Sequence, residues 1–349
     1  MKLIKFQWKR WLLLPAILLI VVPLAAGCAP AAEEGKPVIK IYDGSWESNS
    51  IGNAIVKIII EEGYGYPTEI VVLSTPVMQV SLADGSVHIN MELWTQSGID
   101  WYKEEIAAGT IEDMSIILEG GPQFFIIPQW VADEHNIKTV FDMKENWELF
   151  KDPDDPSKGR FINCMIGWQC GEINKVKMEV YGLTDYYNII SSGAADAMDA
   201  ELTSAQLKHE PVFGYYWAPT ALMGMHDWYI LEEPEYNEAV WNKIIAAKED
   251  ENIKLDEATA YPSVPIPIAI WSGLRDLAPD VVAMLEKTTI GLDRMNKTAA
   301  WGKENEIENE WEKAAVWFMR EYDSHWKTWV TDGAYSKVKK FLDEYGPLP

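Results

Sequence analysis

Asn163-Cys164-Met165-Ile166-Gly167-Trp168-Gln169-Cys170-Gly171 is the stretch around which the chain is organised. Two cysteines bracket a Gly-Trp pair, and a helix-like segment, Glu172 to Tyr181, follows at once. In an exported protein such a pair can close into a small disulfide loop. The bridge would stabilise by roughly 2 kcal/mol through loop entropy. It would also hold one indole at the mouth of a helix whose first N–H groups have no acceptor within the helix. An aromatic face beside an anion-binding helix start suits a ligand with a greasy cation at one end and a carboxylate at the other. Zinc is the alternative for the two thiols. The five His are scattered, and there is no H-E-x-x-H and no second close Cys pair to complete a ligand set.

The 349 residues, 48% of them hydrophobic, allow two lobes of ordinary size, each with its own core. A formal charge of −24 argues against nucleic acid and against anionic lipid surfaces as partners. Lys2, Lys5, Lys9 and Arg10 precede an apolar run from Trp11 to Ala26 that is interrupted by Pro15 and Pro23. That order reads as a secretory signal over residues 1–27, and the run is short of the ~20 apolar residues a membrane-spanning helix needs. Leu24-Ala25-Ala26-Gly27-Cys28 resembles a bacterial lipobox, which would make Cys28 the lipid-modified first residue of the mature chain, followed by a tether over residues 28–36. Cys164 and Cys170 are then the remaining thiols.

In the mature part, Val38 to Tyr42 reads as a buried strand, and Ile51, Ile55, Ile58 and Ile59 repeat at helical spacing. Thr68 to Leu73 is a second strand, Pro76 to Ala83 a short helix, and Val87 to Leu93 a third strand. This β-α-β-α-β order predicts a parallel sheet with covered faces. Trp94 stands at the carboxyl end of the third strand, where open α/β sheets bind ligands. A second α/β run begins near Gln123-Phe124-Phe125-Ile126-Ile127. It continues through a helix (Trp130–Asn136), a capped connector (Asp142–Trp147) and a loop (Lys151–Gly159) into the Cys164–Cys170 stretch. Strand Tyr187–Ile190, helix Ala194–Leu207, strand Pro211–Trp217 and strand Trp228–Leu231 follow, so a second strand also ends in an indole. Ala260 to Ile270, punctuated by prolines, reads as a crossing or edge strand, and helices occupy the chain from Val281 onward.

The lipobox, Glu92-Leu93-Trp94-Thr95, the Cys164–Cys170 stretch with its Gly-Trp, and Gly214-Tyr215-Tyr216-Trp217-Ala218-Pro219 together resemble the glycine betaine-binding lipoproteins of bacterial ABC importers, from about Val38 to the C-terminus. The resemblance implies a two-lobed α/β periplasmic-binding-protein fold of type II, with two chain crossings and the ligand in the cleft between the lobes. Lobe 1 would comprise residues 37–127 and 263–349, and lobe 2 residues 128–262. It implies a cage of indoles around a quaternary ammonium, formed by Trp94 from the first lobe with Trp168 and Trp217 from the second. The ligand carboxylate would sit on the backbone amides of Gln169 and Cys170. Related choline binders put aromatic residues near the places of Trp46 and Phe124, and some betaine binders carry a carboxylate-binding His where this chain has Gly98. Gln96, Ser97 or another group would then stand in for that His, or the ligand would lack a carboxylate in that position. An importer permease and its ATPase are the implied partners, the location is extracytoplasmic with a lipid anchor at Cys28, and choline or carnitine is the alternative ligand.

A trimethylammonium group has no N–H to donate, so indole faces recognise it better than carboxylates do, at about 0.5–2 kcal/mol per desolvated ring. An enzyme is the competing class. The chain has no G-x-S-x-G elbow and no phosphate-cradling glycine loop, and bridging Cys164 to Cys170 removes the free thiol. The paired acids Glu232-Glu233 and Asp154-Asp155 read as solvated loop charges. No cofactor and no metal are expected. A structural lipoprotein whose tryptophans only fill a core is the remaining alternative.

Overall fold

The computed structural model describes residues 35–307 and 309–349. The signal, Cys28 and the tether up to residue 34 lie outside them. Two five-stranded sheets carry the chain. The first contains β1 (Ile39–Asp43), β2 (Thr68–Val72), β3 (Ile89–Asn90), β4 (Ile111–Leu118) and, returning from far along the sequence, β10 (Ile266–Trp271), in the order β2-β1-β3-β10-β4. The second contains β5 (Gln123–Pro128), β6 (Gly159–Asn163), β7 (Tyr187–Ser191), β8 (Phe213–Trp217) and β9 (Trp228–Ile230), in the order β7-β6-β8-β5-β9.

Both sheets are mixed, where the β-α-β-α-β pattern alone predicts a parallel one. β1 pairs parallel with β2 and β3, but β10 runs antiparallel to β3 and to β4. In the second sheet β6 is parallel to β7 and β8, and β5 is antiparallel to β8 and β9. In each sheet the antiparallel strand is one that enters from the other lobe, and chain direction at a crossing has no signature in local periodicity. The proline-rich segment before Ile270 is therefore an interior strand of the first sheet rather than an edge. Its Pro267 sits at a register irregularity, which tolerates a missing N–H.

Three sequence boundaries are corrected. Gln123–Pro128 bonds to β8 and β9, so it is a strand of the second sheet, and the first crossing precedes it, at residues 119–122, instead of following residue 127. Six consecutive buried residues in that strand carry no period that would assign it to either lobe. β4 shows a burial pattern mixed enough to escape recognition, and β6 begins at Gly159, where the loop was expected still to run. β3 keeps only Ile89–Asn90, because the Asn90 side chain accepts the N–H of Glu92 at 3.0 Å and turns the chain out of the sheet.

The helix Glu47–Ile58 packs against the first sheet and the helix Trp311–Glu321, and the turn Ile59–Tyr64 that extends it packs against the helix Asp332–Glu344. Trp326 is fully buried in that packing, and its indole N–H donates to the Met319 carbonyl at 2.8 Å. No helix among the described residues is long and apolar enough to cross a membrane. Replacing Trp326 by Ala removes a large core side chain far from the cleft. It should lower unfolding free energy by about 3–5 kcal/mol in urea titrations while leaving the ligand affinity of the folded fraction unchanged.

Candidate functional site

The parallel strands of both sheets point their carboxyl ends at one cleft. From the first lobe come the residues after β1 and β3. Glu92, 1% exposed, accepts the indole N–H of Trp46 at 2.6 Å, the Ser48 hydroxyl at 3.0 Å and the indole N–H of Trp94 at 3.4 Å, all on Oε2. One carboxyl group therefore sets the planes of two indoles. Its other oxygen, Oε1, is buried and has no hydrogen-bond partner among the described residues. Burial pushes the Glu92 carboxyl up to about 7, against the opposing pull of the Trp46, Ser48 and Trp94 hydrogen bonds. The first crossing presses on the same ring: a Cβ at Gly121 would come within 2.6 Å of the Trp94 indole, so glycine lets the backbone lie against it.

The second lobe supplies the loop from Cys164 to Cys170, joined as a disulfide with Cα atoms 5.9 Å apart. It leads into the helix Cys170–Val180. The N–H groups of Gln169 and Cys170 find no acceptor among the described residues, as expected at a helix start. Behind them the helix is braced from within. Asn163 donates to the Gly171 carbonyl at 3.1 Å, Asn174 donates to Asn163 at 2.8 Å, and the Tyr261 hydroxyl of the second crossing donates to Asn174 at 2.7 Å. Trp168 reaches across the cleft, its indole N–H donating to the Gly44 carbonyl of the first lobe at 2.8 Å. Its ring meets Trp46 edge-on at 5.8 Å and Trp217 edge-on at 5.2 Å.

These groups bound a cavity of about 70 Å³. Trp46, Trp94, Trp168 and Trp217 all line it, as do Gln169 and Cys170, so the residues singled out in two distant parts of the sequence come together. Phe124 does not. In β5 it lies opposite Tyr216, while its neighbour Gln123 lies opposite Trp217 and lines the cavity; alternation along the strand turns Phe124 to the other face. Gln96 is buried without lining the cavity, whereas Ser97 and Gly98 line it.

Sequence reasoning missed Glu92, Gln123 and Tyr215 as lining residues, along with Trp101 and Tyr102 on the helix Ile99–Ala108. The two-residue period would have found two of them, since Glu92 precedes Trp94 by two positions and Tyr215 precedes Trp217 by two. Gln123 carried no signal, because it is brought in by pairing with β8. Its Oε1 accepts the Tyr215 hydroxyl at 2.6 Å.

Two mixed α/β lobes, joined by two crossings and closed on an aromatic cavity at their strand ends, define an extracytoplasmic-type solute-binding protein. Residues 37–321 match the family described as the substrate binding domain of ABC-type glycine betaine transport systems, and the chain belongs to that family. Family and fold are those of transport proteins rather than of catalysts. The trimethylamine N-oxide-binding protein of Pelagibacter ubique (strain HTCC1062) is 25% identical over 233 residues, covering 60% of this chain and 68% of that one. Among solved structures, the glycine betaine/L-proline-binding protein ProX of Borrelia burgdorferi shares the fold with a TM-score of 0.67 at 18% identity, over 86% of this chain and 99% of that one. A choline binding protein in complex with choline also gives a TM-score of 0.67, at 17% identity, over 87% of this chain and 98% of that one.

Glu92 has a measurable consequence without any ligand. Its folded pKa is raised from 4.5 to about 7. The folded state therefore holds the proton more tightly than the unfolded chain, and stability falls as pH rises from about 4.5 to 7 and then levels off. The loss is on the order of 3 kcal/mol. Glu92→Gln keeps an acceptor for Trp46 but cannot ionise, so thermal melting of the variant should show a flatter profile across that window. Parallel profiles for parent and variant would place the proton elsewhere.

Proposed function

We propose that the cavity captures a small methylated ammonium solute of the glycine betaine class and hands it to the permease of an ABC importer. The observation that carries this reading is the convergence of four indoles from both lobes beside two unpartnered backbone N–H groups. The rings meet the methylated cation on their faces, while the Gln169 and Cys170 N–H groups donate to an anionic group at a helix start. The cavity is small, about 70 Å³, which suits a compact solute. The lipobox-like Leu24–Cys28 motif supports a mature chain anchored through Cys28 on the extracytoplasmic side.

A second reading, trimethylamine N-oxide, is favoured by Glu92. Its free Oε1 is the cavity's own hydrogen-bonding carboxyl, and the relative at 25% identity bears that ligand's name. Protonated, the carboxyl donates to an oxyanion, whether the oxygen of an N-oxide or a betaine carboxylate. Ionised, it accepts a hydroxyl proton and balances a full positive charge, which suits choline. Protonation of Glu92 therefore sorts zwitterions from cations.

The cage is tested by calorimetric titration of folded variants with glycine betaine, proline betaine, choline, carnitine and trimethylamine N-oxide. Alanine at Trp94, Trp168 or Trp217 should cost about 1–3 kcal/mol of binding, and phenylalanine less. Three variants that all bind like the parent would remove the cage from this cleft. The ligand class follows from pH. Between pH 6 and 8, affinity for a betaine or N-oxide should fall about tenfold, because only the protonated form donates, whereas affinity for choline should rise. A pH-independent affinity for both would exclude Glu92 from ligand contact.

A further inference from the structure

On the rim of the cavity the two lobes are joined by a chain of polar contacts that the cage does not require. The helix Glu238–Glu249 of the second lobe presents Trp241 and Lys248, two turns apart on one face. The Trp241 indole donates to the Gln96 carbonyl at 3.2 Å, and the Lys248 ammonium donates to the Ser97 carbonyl at 2.9 Å. Both acceptors belong to the 3-10 turn Thr95–Gly98 of the first lobe, directly after Trp94. The same ammonium reaches Gln169 Oε1 at 3.3 Å, and Gln169 Nε2 donates to Gln79 Oε1 of the first lobe at 3.2 Å. The contacts therefore run Gln79, Gln169, Lys248, Ser97, leaving and re-entering the first lobe.

Gly98 lies inside this loop. A Cβ there would stand 2.4 Å from Gln79 Nε2 and 3.3 Å from Gln169 Oε1, so the two amides fill the space of a side chain at 98. The Lys248 side chain is only 5% exposed, and its remaining contact is Glu249 at 2.9 Å. A buried ammonium bonded to a carbonyl and an amide oxygen makes charge-assisted hydrogen bonds that water screens little. Opening the cleft would break the bond to Ser97 and the amide pair together. It would also release Gln169, whose backbone N–H is one of the two unpartnered donors in the site.

We propose that Lys248, acting through Gln169 and Gln79, is the latch that holds the two lobes shut over the cavity. It is a positioning residue: it touches no ligand atom, and it fixes the turn that follows Trp94 and the amide that faces the cavity in one movement. The inference takes from the functional reading only that a ligand enters between the lobes.

The test compares Lys248→Met, Lys248→Arg and Gly98→Ala with the parent, each as the full mature chain. In stopped-flow tryptophan fluorescence with the tightest-binding ligand of the panel, Lys248→Met should release ligand roughly ten- to hundredfold faster with little change in association rate. Lys248→Arg should recover most of the slow release. Gly98→Ala, which pushes Gln79 and Gln169 apart, should behave like Lys248→Met. Small-angle scattering without ligand should show a larger radius of gyration for Lys248→Met than for the parent. A merely structural lysine would lower the melting temperature without this off-rate effect and without rescue by arginine. Equal release rates and equal scattering for Lys248→Met and parent overturn the latch. So does a loss that Lys248→Arg shares in full. If no ligand of the panel binds the parent, the functional reading fails, and the scattering comparison alone decides the latch.

Discussion

Three of the four indoles that line the cavity place their N–H on a defined acceptor, and those bonds shape the cleft. Trp46 and Trp94 both discharge theirs on Glu92, inside the first lobe. Trp168 discharges its own on the Gly44 carbonyl, in the other lobe. The Trp46 and Trp94 rings, anchored within one lobe, have their planes set before any ligand arrives, which lowers the ordering cost of binding. The arrangement also ties the cage to the closed state, because the Trp168 bond exists only while Gly44 is within reach. Trp168 thus takes part both in lining the cavity and in joining the lobes.

The electrostatics of the cleft follow from burial more than from the net charge of −24. Glu92 is flanked by donors and still titrates high, because desolvation outweighs its hydrogen bonds. On the far side of Trp46 and Trp217 lies a wider cavity, about 1100 Å³, that these two rings separate from the ligand site. There Glu47 of the first lobe accepts the Ala221 N–H of the second at 3.1 Å, and Asp199 accepts the Tyr216 hydroxyl at 2.6 Å. Burial raises both carboxyls, Asp199 to about 7. Burial disfavours the charged form of both, so they hold their protons to higher pH than exposed carboxyls do.

The second lobe carries its half of the site on a braced platform. Tyr261, in the returning crossing, donates to Asn174 and lies beneath the Lys177 ammonium, 4.2 Å from the ring centroid. Lys177 is fully buried, and Glu233, expected from the sequence to be a solvated loop charge, has a buried side chain and supplies the counter-charge at 2.6 Å. Desolvation lowers the Lys177 pKa, while Glu233 opposes that shift. The returning crossing and the helix Cys170–Val180 are therefore one packed unit.

Much of this was legible in the residues. Two α/β runs follow from the residue pattern, with Trp94 at the end of an alternating stretch and Trp217 at the end of the strand Pro211–Trp217. Trp168 stood out because cysteines six positions apart enclose a Gly-Trp turn, a local feature. The same two-residue alternation that placed Trp94 also marks Glu92, and Trp217 likewise marks Tyr215. What the sequence could not express is any relation between segments that meet only after folding. The lobe to which Gln123–Pro128 belongs, the antiparallel direction of β10, the exclusion of Phe124 in favour of Gln123, and the bond from Lys248 to Ser97 across 151 positions are of this kind. Local pattern records which face of a strand or helix is apolar, because burial is decided residue by residue. Pairing between distant strands and contacts across a cleft depend on chain direction and lobe orientation, and those are set only when both cores have formed.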